Sequence, residues 1–480
     1  MEELRTAALN KAQTLGASYA DVRVVEKQTE SIGVKNGEVE SLTTGENAGF
    51  GVRVLFGGAW GFACSNRLDT EEALRVTETA VEVARAAAAT LARPVKLTPA
   101  VAARDAYISA YETDPFSVAL EDKVELLLAA DRIMREDGKV AVAKGNIFSQ
   151  RGQSHFSSSE GADIFQDIIE TGGGISATAI DGDIVERRSY PNSMGGQSGT
   201  RGWELVEEMA LVENASAIRD EAVALLSAPI CPSGLMTVII GGPQLALQVH
   251  ESIGHPIELD RILGMEASFA GGSFVKPEML GNYKYGSELV NVTADGTIPG
   301  ALGTFGYDDE GIPAQRTAII KNGILTGVLS SRETAGAISQ TSNGTARADG
   351  WNRIPLIRMT NINLLPGTWT LDDLIADTDD GLFLGTNKSW SIDDKRINFQ
   401  FATEAAWEIK NGKLGRLYRN PNYTGITHEF WNSCDAICNA DHWQVWGTPN
   451  CGKGEPMQIA HVAHGVSPAR FRNVQVGVGR

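Results

Sequence analysis

Hydrophobic positions along the first part of the chain switch between helical and strand spacing. Leu4, Ala8, Ala12 and Leu15 share one helical stripe that closes at Gly16, after which Val22 and Val24 alternate as the start of a strand. Asn36 and Gly37 predict a tight hairpin, and the glycine-rich stretch 48–64 continues as strands. A long helix follows. Asp69, with Glu72 three residues on, opens it; Ala73, Val76, Ala80, Val83, Ala87 and Leu91 stripe it, and Pro94 stops it. Residues 93–115 carry Pro94, Pro99 and Pro115 with weak periodicity, so they are read as a boundary. A second α/β unit has helices at 118–135 and at the stripe Leu211, Ala215, Ile218, Ala222 and Leu225, with strand-like, glycine-rich sequence between them.

Beyond the next linker, 229–234, strand patterns dominate. Asn322-Gly323 and Asn411-Gly412 predict two more hairpins, and Ile397, Phe399 and Phe401 alternate as in a half-buried strand. The expected fold class is α+β: an N-terminal α/β region of two units (1–95 and 116–228), then a β-rich domain (235–480) carrying a short metal-binding helix.

Composition narrows the function. With 480 residues and 42% hydrophobic content, the chain has ample material for two or three cores. A net charge of −18 argues against nucleic acid or anionic membrane as partners. The N-terminal residues show neither a basic leader nor an apolar segment, and no uncharged stretch is long enough to span a bilayer, so a cytoplasmic location is expected. Five cysteines are too few and too scattered to form a disulfide framework in a chain this long. They read as reduced thiols or metal ligands.

The run HESIGH at 250–255 carries the candidate chemistry. Two neutral imidazoles can hold a divalent cation, and Glu251, directly after the first, is placed to take a proton from water activated at the ion. The spacing is not that of HExxH, however. His250 and His255 are five apart and would point about 140° away from each other on a regular α-helix. Gly254 and Pro256 flank His255, so His250 and Glu251 are expected to be helical and His255 to leave the α region and fold back from an unwound end. The plainer alternative is a buried core histidine followed by a loop histidine. Against it stands the local context: a buried strand at 235–240, a Gly-Gly-Pro turn, and a short helix beginning at Leu245, Leu247 and Val249.

A hydrolytic zinc site usually takes three protein ligands and leaves one position open. Glu258, His428, Cys434, Cys438, His442, Cys451, His461 and His464 are all candidates for the third. Cys434, Cys438 and His442 could instead form a separate structural site, although a buried role for the two thiols fits their spacing better. His461 and His464 face opposite sides if they lie on a strand. Cys451 sits among small residues, with Lys453 nearby to favour a thiolate. Spacing alone does not choose among them. An oxyanion donor is equally open, with Arg316, Arg347 and Arg358 available.

HESIGHPIELDRI, GTFGYDDEGIPAQRTAIIKNGILTG at 303–327, PLIRMTNINLLPGT at 355–368 and NCGKGEPMQ at 450–458 together resemble the TldD/PmbA family of metallopeptidases, over nearly the whole chain. HExxxH points to the TldD-type branch. The resemblance implies Zn2+ on His250, His255 and Cys451, and Glu251 as the acid/base. It also implies short or unfolded peptide substrates, admitted as extended strands to a chamber formed by a homodimer or by a heterodimer with a PmbA/TldE-like subunit. Pro256 stands where family members often carry glycine. Two other functions compete with this one. A silent peptide-binding or assembly subunit would have no need of Glu251, whereas a hydrolase of non-peptide amides would share the whole site.

Overall fold

The N-terminal half is built on one eight-stranded sheet, because the alternating residues of four very long strands pair along most of their length. The computed structural model describes residues 1–454 and 457–477. The strand order is β3 (Ala59–Ser65), β2 (Glu38–Phe56), β1 (Tyr19–Lys35), β5 (Val140–Ser158), β6 (Asp163–Asp181) and β4 (Arg104–Ile108). β7 (Ile184–Tyr190) and β8 (Gln197–Gly199) also pair with β6. Helices α1 (Glu2–Thr14) and α2 (Thr70–Ala88) bury Leu4, Ala8, Val76 and Ala80 against Val22 and Val52. Helices α3 (Leu120–Met134), α4 (Glu204–Glu208) and α5 (Leu211–Ser227) form a second core with Ile147 and Ile175. The antiparallel pairing of β1 with β5 makes one sheet common to both cores.

The helix and hairpin expectations largely match these elements. Asp69 caps α2 by accepting the Glu72 N–H at 2.8 Å. The buried face of α2 is Ala73, Val76, Ala80 and Ala84, while Val83 remains 45% exposed, so the predicted stripe drifts off the core towards its end. The three Asn-Gly pairs read as hairpins turn them with both residues at positive φ, as a type I′ turn requires: Asn36 and Gly37 at 51° and 85°, Asn322 and Gly323 at 49° and 77°, Asn411 and Gly412 at 50° and 70°. β4 lies within the stretch read as a boundary. It is a mostly exposed edge strand running parallel to β6, and so it lacks the alternation that would have revealed it.

A nine-stranded sheet organises the C-terminal half. At its centre β9 (Gly234–Ile240) runs parallel to Asp380–Leu384 and antiparallel to Ala469–Val476, which explains its unbroken apolar run Val238-Ile239-Ile240. Gly241 donates its N–H to Leu384 O at 2.9 Å and turns the chain into α6 (Gly242–Val249), which starts with Pro243 in its first turn. Among the described residues no helix is long and apolar enough to cross a membrane.

Candidate metal centre

The two histidines converge through the winding of the helix. His250–Gly254 forms a π-turn in which the His255 N–H donates to His250 O, a five-residue register that brings positions five apart towards the same face. His255 itself stays in the α region at φ −66° and ψ −41°. The expected unwinding is therefore corrected: the helix widens by one residue and then tightens to a 3-10 turn, His255–Ile257. Pro256 falls in the first turn of that segment, where no backbone donor is needed. Side chains support the wide turn. Tyr285 Oη donates to Ser252 O at 2.5 Å, and Trp431 Nε1 donates to Ser252 Oγ at 2.9 Å. A Cβ added to Gly254 would lie 2.2 Å from the buried Met359 Sδ, so close packing requires glycine here.

Cys451 arrives from a separate two-stranded hairpin, Gln444–Lys453 paired with Gln458–Val466, in which it lies opposite Ala460. Its Sγ is 3.9 Å from His255 Nε2. One ligand atom from each of His250, His255 and Cys451 can be chosen so that all three lie within 4.8 Å of one another, and all three residues are buried. Residues 455 and 456 of the NCGKGEPMQ run lie outside the described residues.

Each imidazole has its far nitrogen occupied. His464 Nδ1 is 3.1 Å from Ile362 O, which can only accept, so Nδ1 carries the proton and Nε2 is left bare. That Nε2 lies 2.8 Å from His250 Nδ1, which must donate to it, leaving His250 Nε2 with a free lone pair. His255 Nδ1 donates to Glu258 Oε2 at 3.1 Å, which likewise frees Nε2 on the Cys451 side. This is the outer-layer arrangement that fixes tautomers in metal sites. Glu258, a ligand candidate from sequence, thus orients a histidine instead. Its carboxylate is also paired with Arg261 Nε at 3.2 Å and Lys453 Nζ at 3.3 Å.

The electrostatics suit a cation. Burial pushes His250 and His255 below the usual imidazole range despite neighbouring carboxylates. His464 is pushed well below that range, by burial and then by His250. Burial would raise the Cys451 thiol, but Arg358 and His255 outweigh it and the net shift is downward. Cys64, Cys231, Cys434 and Cys438 all shift upward, the last two to about 12 and about 11, because burial dominates. Two neutral imidazoles and a thiolate-prone cysteine are the protonation states that metal ligation needs. Lys453 is not what lowers the thiol, contrary to expectation: it is taken up by Asp260 at 2.7 Å and by Ile357 O at 2.6 Å.

The remaining candidates separate cleanly. Glu251, 6% exposed, accepts from Arg396 Nη1 at 3.0 Å. His461 is on the opposite face of its strand from His464, as alternation demands, and bonds to Glu170 Oε2 of β6 at 2.5 Å. His442 accepts the Leu371 N–H at 3.1 Å, His428 stacks edge-on to Tyr283, and Cys434 packs in the hydrophobic core. Among the described residues, His250, His255 and Cys451 are the one group of three or more such side chains able to hold an ion, so no cluster of Cys434, Cys438 and His442 forms. Of the three arginines suggested for the oxyanion, Arg316 is exposed beside Asp295. Arg347 donates to Met359 O and His461 O at 3.1 and 2.8 Å, and Arg358 donates to Cys451 O and to Gln458 O. Arg396 had no signature in the sequence.

The chain is similar to known proteins along most of its length. Residues 20–84, 113–227 and 233–477 match the first, central and C-terminal domains of the PmbA/TldA metallopeptidases. A metalloprotease of Methanocaldococcus jannaschii is 30% identical, over 87% of this chain and 89% of its own length. A metalloprotease TldD homolog of Haemophilus influenzae is 28% identical, over 91% and 88%. A zinc metalloprotease TldD homolog of Saccharolobus solfataricus is 23% identical, over 89% and 90%. Among solved structures, a Thermotoga maritima protein described in terms of DNA gyrase modulation superposes with a TM-score of 0.79 at 16% identity, covering 99% of this chain and all of the other. TldE of Thermococcus kodakarensis gives 0.74 at 17%, again over 99% and 100%. With matched domains along most of its length and HExxxH in place, the chain belongs to the PmbA/TldD metallopeptidase family, in its TldD-type branch.

Proposed function

We propose that this chain is a zinc metallopeptidase that hydrolyses peptide bonds in short or unfolded polypeptides, with His250, His255 and Cys451 as ligands and Glu251 as general base. The observation that carries the reading is the convergence of three buried ligand atoms whose partners leave the correct lone pairs free. A zinc ion held there would lower the pKa of water towards about 7 and polarise a carbonyl. The protein supplies the rest. Glu251 accepts the proton of the attacking water and returns it to the departing amine. Glu258 and His464 hold the imidazoles in register.

Access supports the substrate class. His250, Glu251, His255 and Cys451 are each no more than 6% exposed, which argues against a folded surface as the substrate. The likeness to TldE supports assembly with a second subunit, as a homodimer or with a TldE-like partner. A silent subunit would have no use for a carboxylate beside the ligand set, which favours the catalytic reading. The test is metal analysis paired with casein cleavage. Wild type should bind one zinc and cleave, Glu251→Gln should bind zinc without cleaving, and Cys451→Ala should lose both. Undiminished cleavage by Glu251→Gln would refute the reading.

A further inference from the structure

We propose that Arg396 both positions the Glu251 carboxylate and donates to the oxyanion that forms on the scissile carbonyl; the inference rests on the peptidase reading above. Arg396 lies in the loop between strands Asn387–Ile392 and Asn398–Thr403, and its Nη1 donates to Glu251 Oε2 at 3.0 Å. Its Nε N–H is buried and has no acceptor. A charged donor left in this state is costly in a purely structural ion pair, and useful where a negative group arrives only during reaction. Of the three arginines suggested by sequence, Arg316 faces solvent, Arg347 donates to main-chain carbonyls, and Arg358 keeps an unpartnered Nε of its own but is anchored on Cys451 O and Gln458 O; the one whose ion pair is with the Glu251 carboxylate is Arg396.

The loop is built to hold this side chain. Arg396 takes a left-handed backbone at φ 64°, which is uncommon for a residue other than glycine, asparagine or aspartate. Asp393 fixes that turn, accepting the Arg396 N–H through its carbonyl at 2.9 Å and the Ile397 N–H through Oδ1 at 2.7 Å. Thr427 Oγ1 donates to Arg396 O at 2.7 Å, and the Phe274 N–H donates to Lys395 O at 2.9 Å. Burial lowers the guanidinium's pKa from its usual value, against the pull of Glu251 and, more weakly, of Glu258 and Cys451.

Charge balance explains why one guanidinium serves both purposes. As water adds to the carbonyl carbon, a C–O bond forms and the π pair moves to the carbonyl oxygen. The proton of the water passes to Glu251. One negative charge thereby leaves the carboxylate and appears on the oxygen, and the cation already beside the first can hold the second. When the tetrahedral species collapses, the C–N bond breaks and the amine takes the proton from Glu251, which restores the resting pair.

The test uses zinc-loaded full-length protein with Arg396→Gly and Arg396→Lys. Glycine accommodates the left-handed backbone, so the loop should stay folded while the charge is lost. Expected for Arg396→Gly are an unchanged zinc content, a KM within about threefold, and a kcat lower by about 10²–10³, the range for loss of one oxyanion donor. A phosphinic peptide, tetrahedral and anionic, should bind more weakly by a similar factor, as measured calorimetrically on the zinc-loaded protein. Arg396→Lys should recover part of both losses. Undiminished phosphinic-peptide affinity in Arg396→Gly, at wild-type zinc content, would overturn the assignment and leave the peptidase reading standing. Absence of any peptide cleavage by the zinc-loaded wild type would overturn both.

Discussion

Replacing His464 with leucine should weaken metal binding although His464 touches no metal. His464 receives the His250 Nδ1 hydrogen at 2.8 Å and passes its own to Ile362 O at 3.1 Å. His250 is only 3% exposed, so water cannot take over as acceptor. In His464→Leu the His250 N–H is buried and unpaired, a cost of about 1–3 kcal/mol. The ring can escape this cost only by rotating, which moves Nε2 away from Cys451 and His255. Loss of such outer-layer partners typically lowers metal affinity about 10–100-fold, which is about 1.4–2.8 kcal/mol, so two independent routes give one magnitude. The assay is zinc affinity by chelator competition. The matched control is His461→Leu, three residues away on the same strand but facing Glu170, where zinc affinity should hold even if stability falls. Equal affinities for wild type and His464→Leu would refute the argument that the relay sets the tautomer of His250.

Further outcomes follow from the same geometry. Gly254→Ala places a methyl against the buried Met359 Sδ, so it should lower stability by about 1–3 kcal/mol and reduce bound zinc. Adding Met359→Ala should recover part of both, as read by thermal unfolding and metal analysis. Cys434→Ala should keep full zinc content and lose about 1 kcal/mol in chemical denaturation, since Cys434 only packs the core. The folded-state pKa values of His250, His255 and His464 are all depressed, so the unfolded chain binds more protons over the affected range. Their contribution to stability is present above the usual histidine pKa of about 6.5 and is lost as pH falls through the folded values. The metal-free protein should therefore melt at a lower temperature as pH falls below about 6.5, and more shallowly so in His464→Leu, by calorimetry.

Local chemistry made much of this structure legible. The Asn-Gly hairpins, the Asp69 cap and the run into β9 each follow from a residue's own conformational preference. What escaped the sequence depends on contacts between distant segments. β4 is a mostly exposed edge strand, and so lacks a hydrophobic signature. Glu258 and His464 were visible as candidate ligands, but only the fold shows that each faces the back of an imidazole. Arg396 meets Glu251 across 145 positions, a pairing that no spacing rule encodes. The π-turn was missed for a different reason. A glycine and a proline around a histidine normally signal the end of a helix, and here the packing of Tyr285, Trp431 and Met359 holds one wider coil together.

That wider coil bears on how other chains are searched for helical chelates. A filter that accepts histidines only at intervals of three or four passes over this arrangement, because it assumes a constant pitch. Once a single loosened turn is admitted, an interval of five becomes as informative as four, provided that something bulky fills the gap opened on the opposite side and that the residue facing it is too small to obstruct.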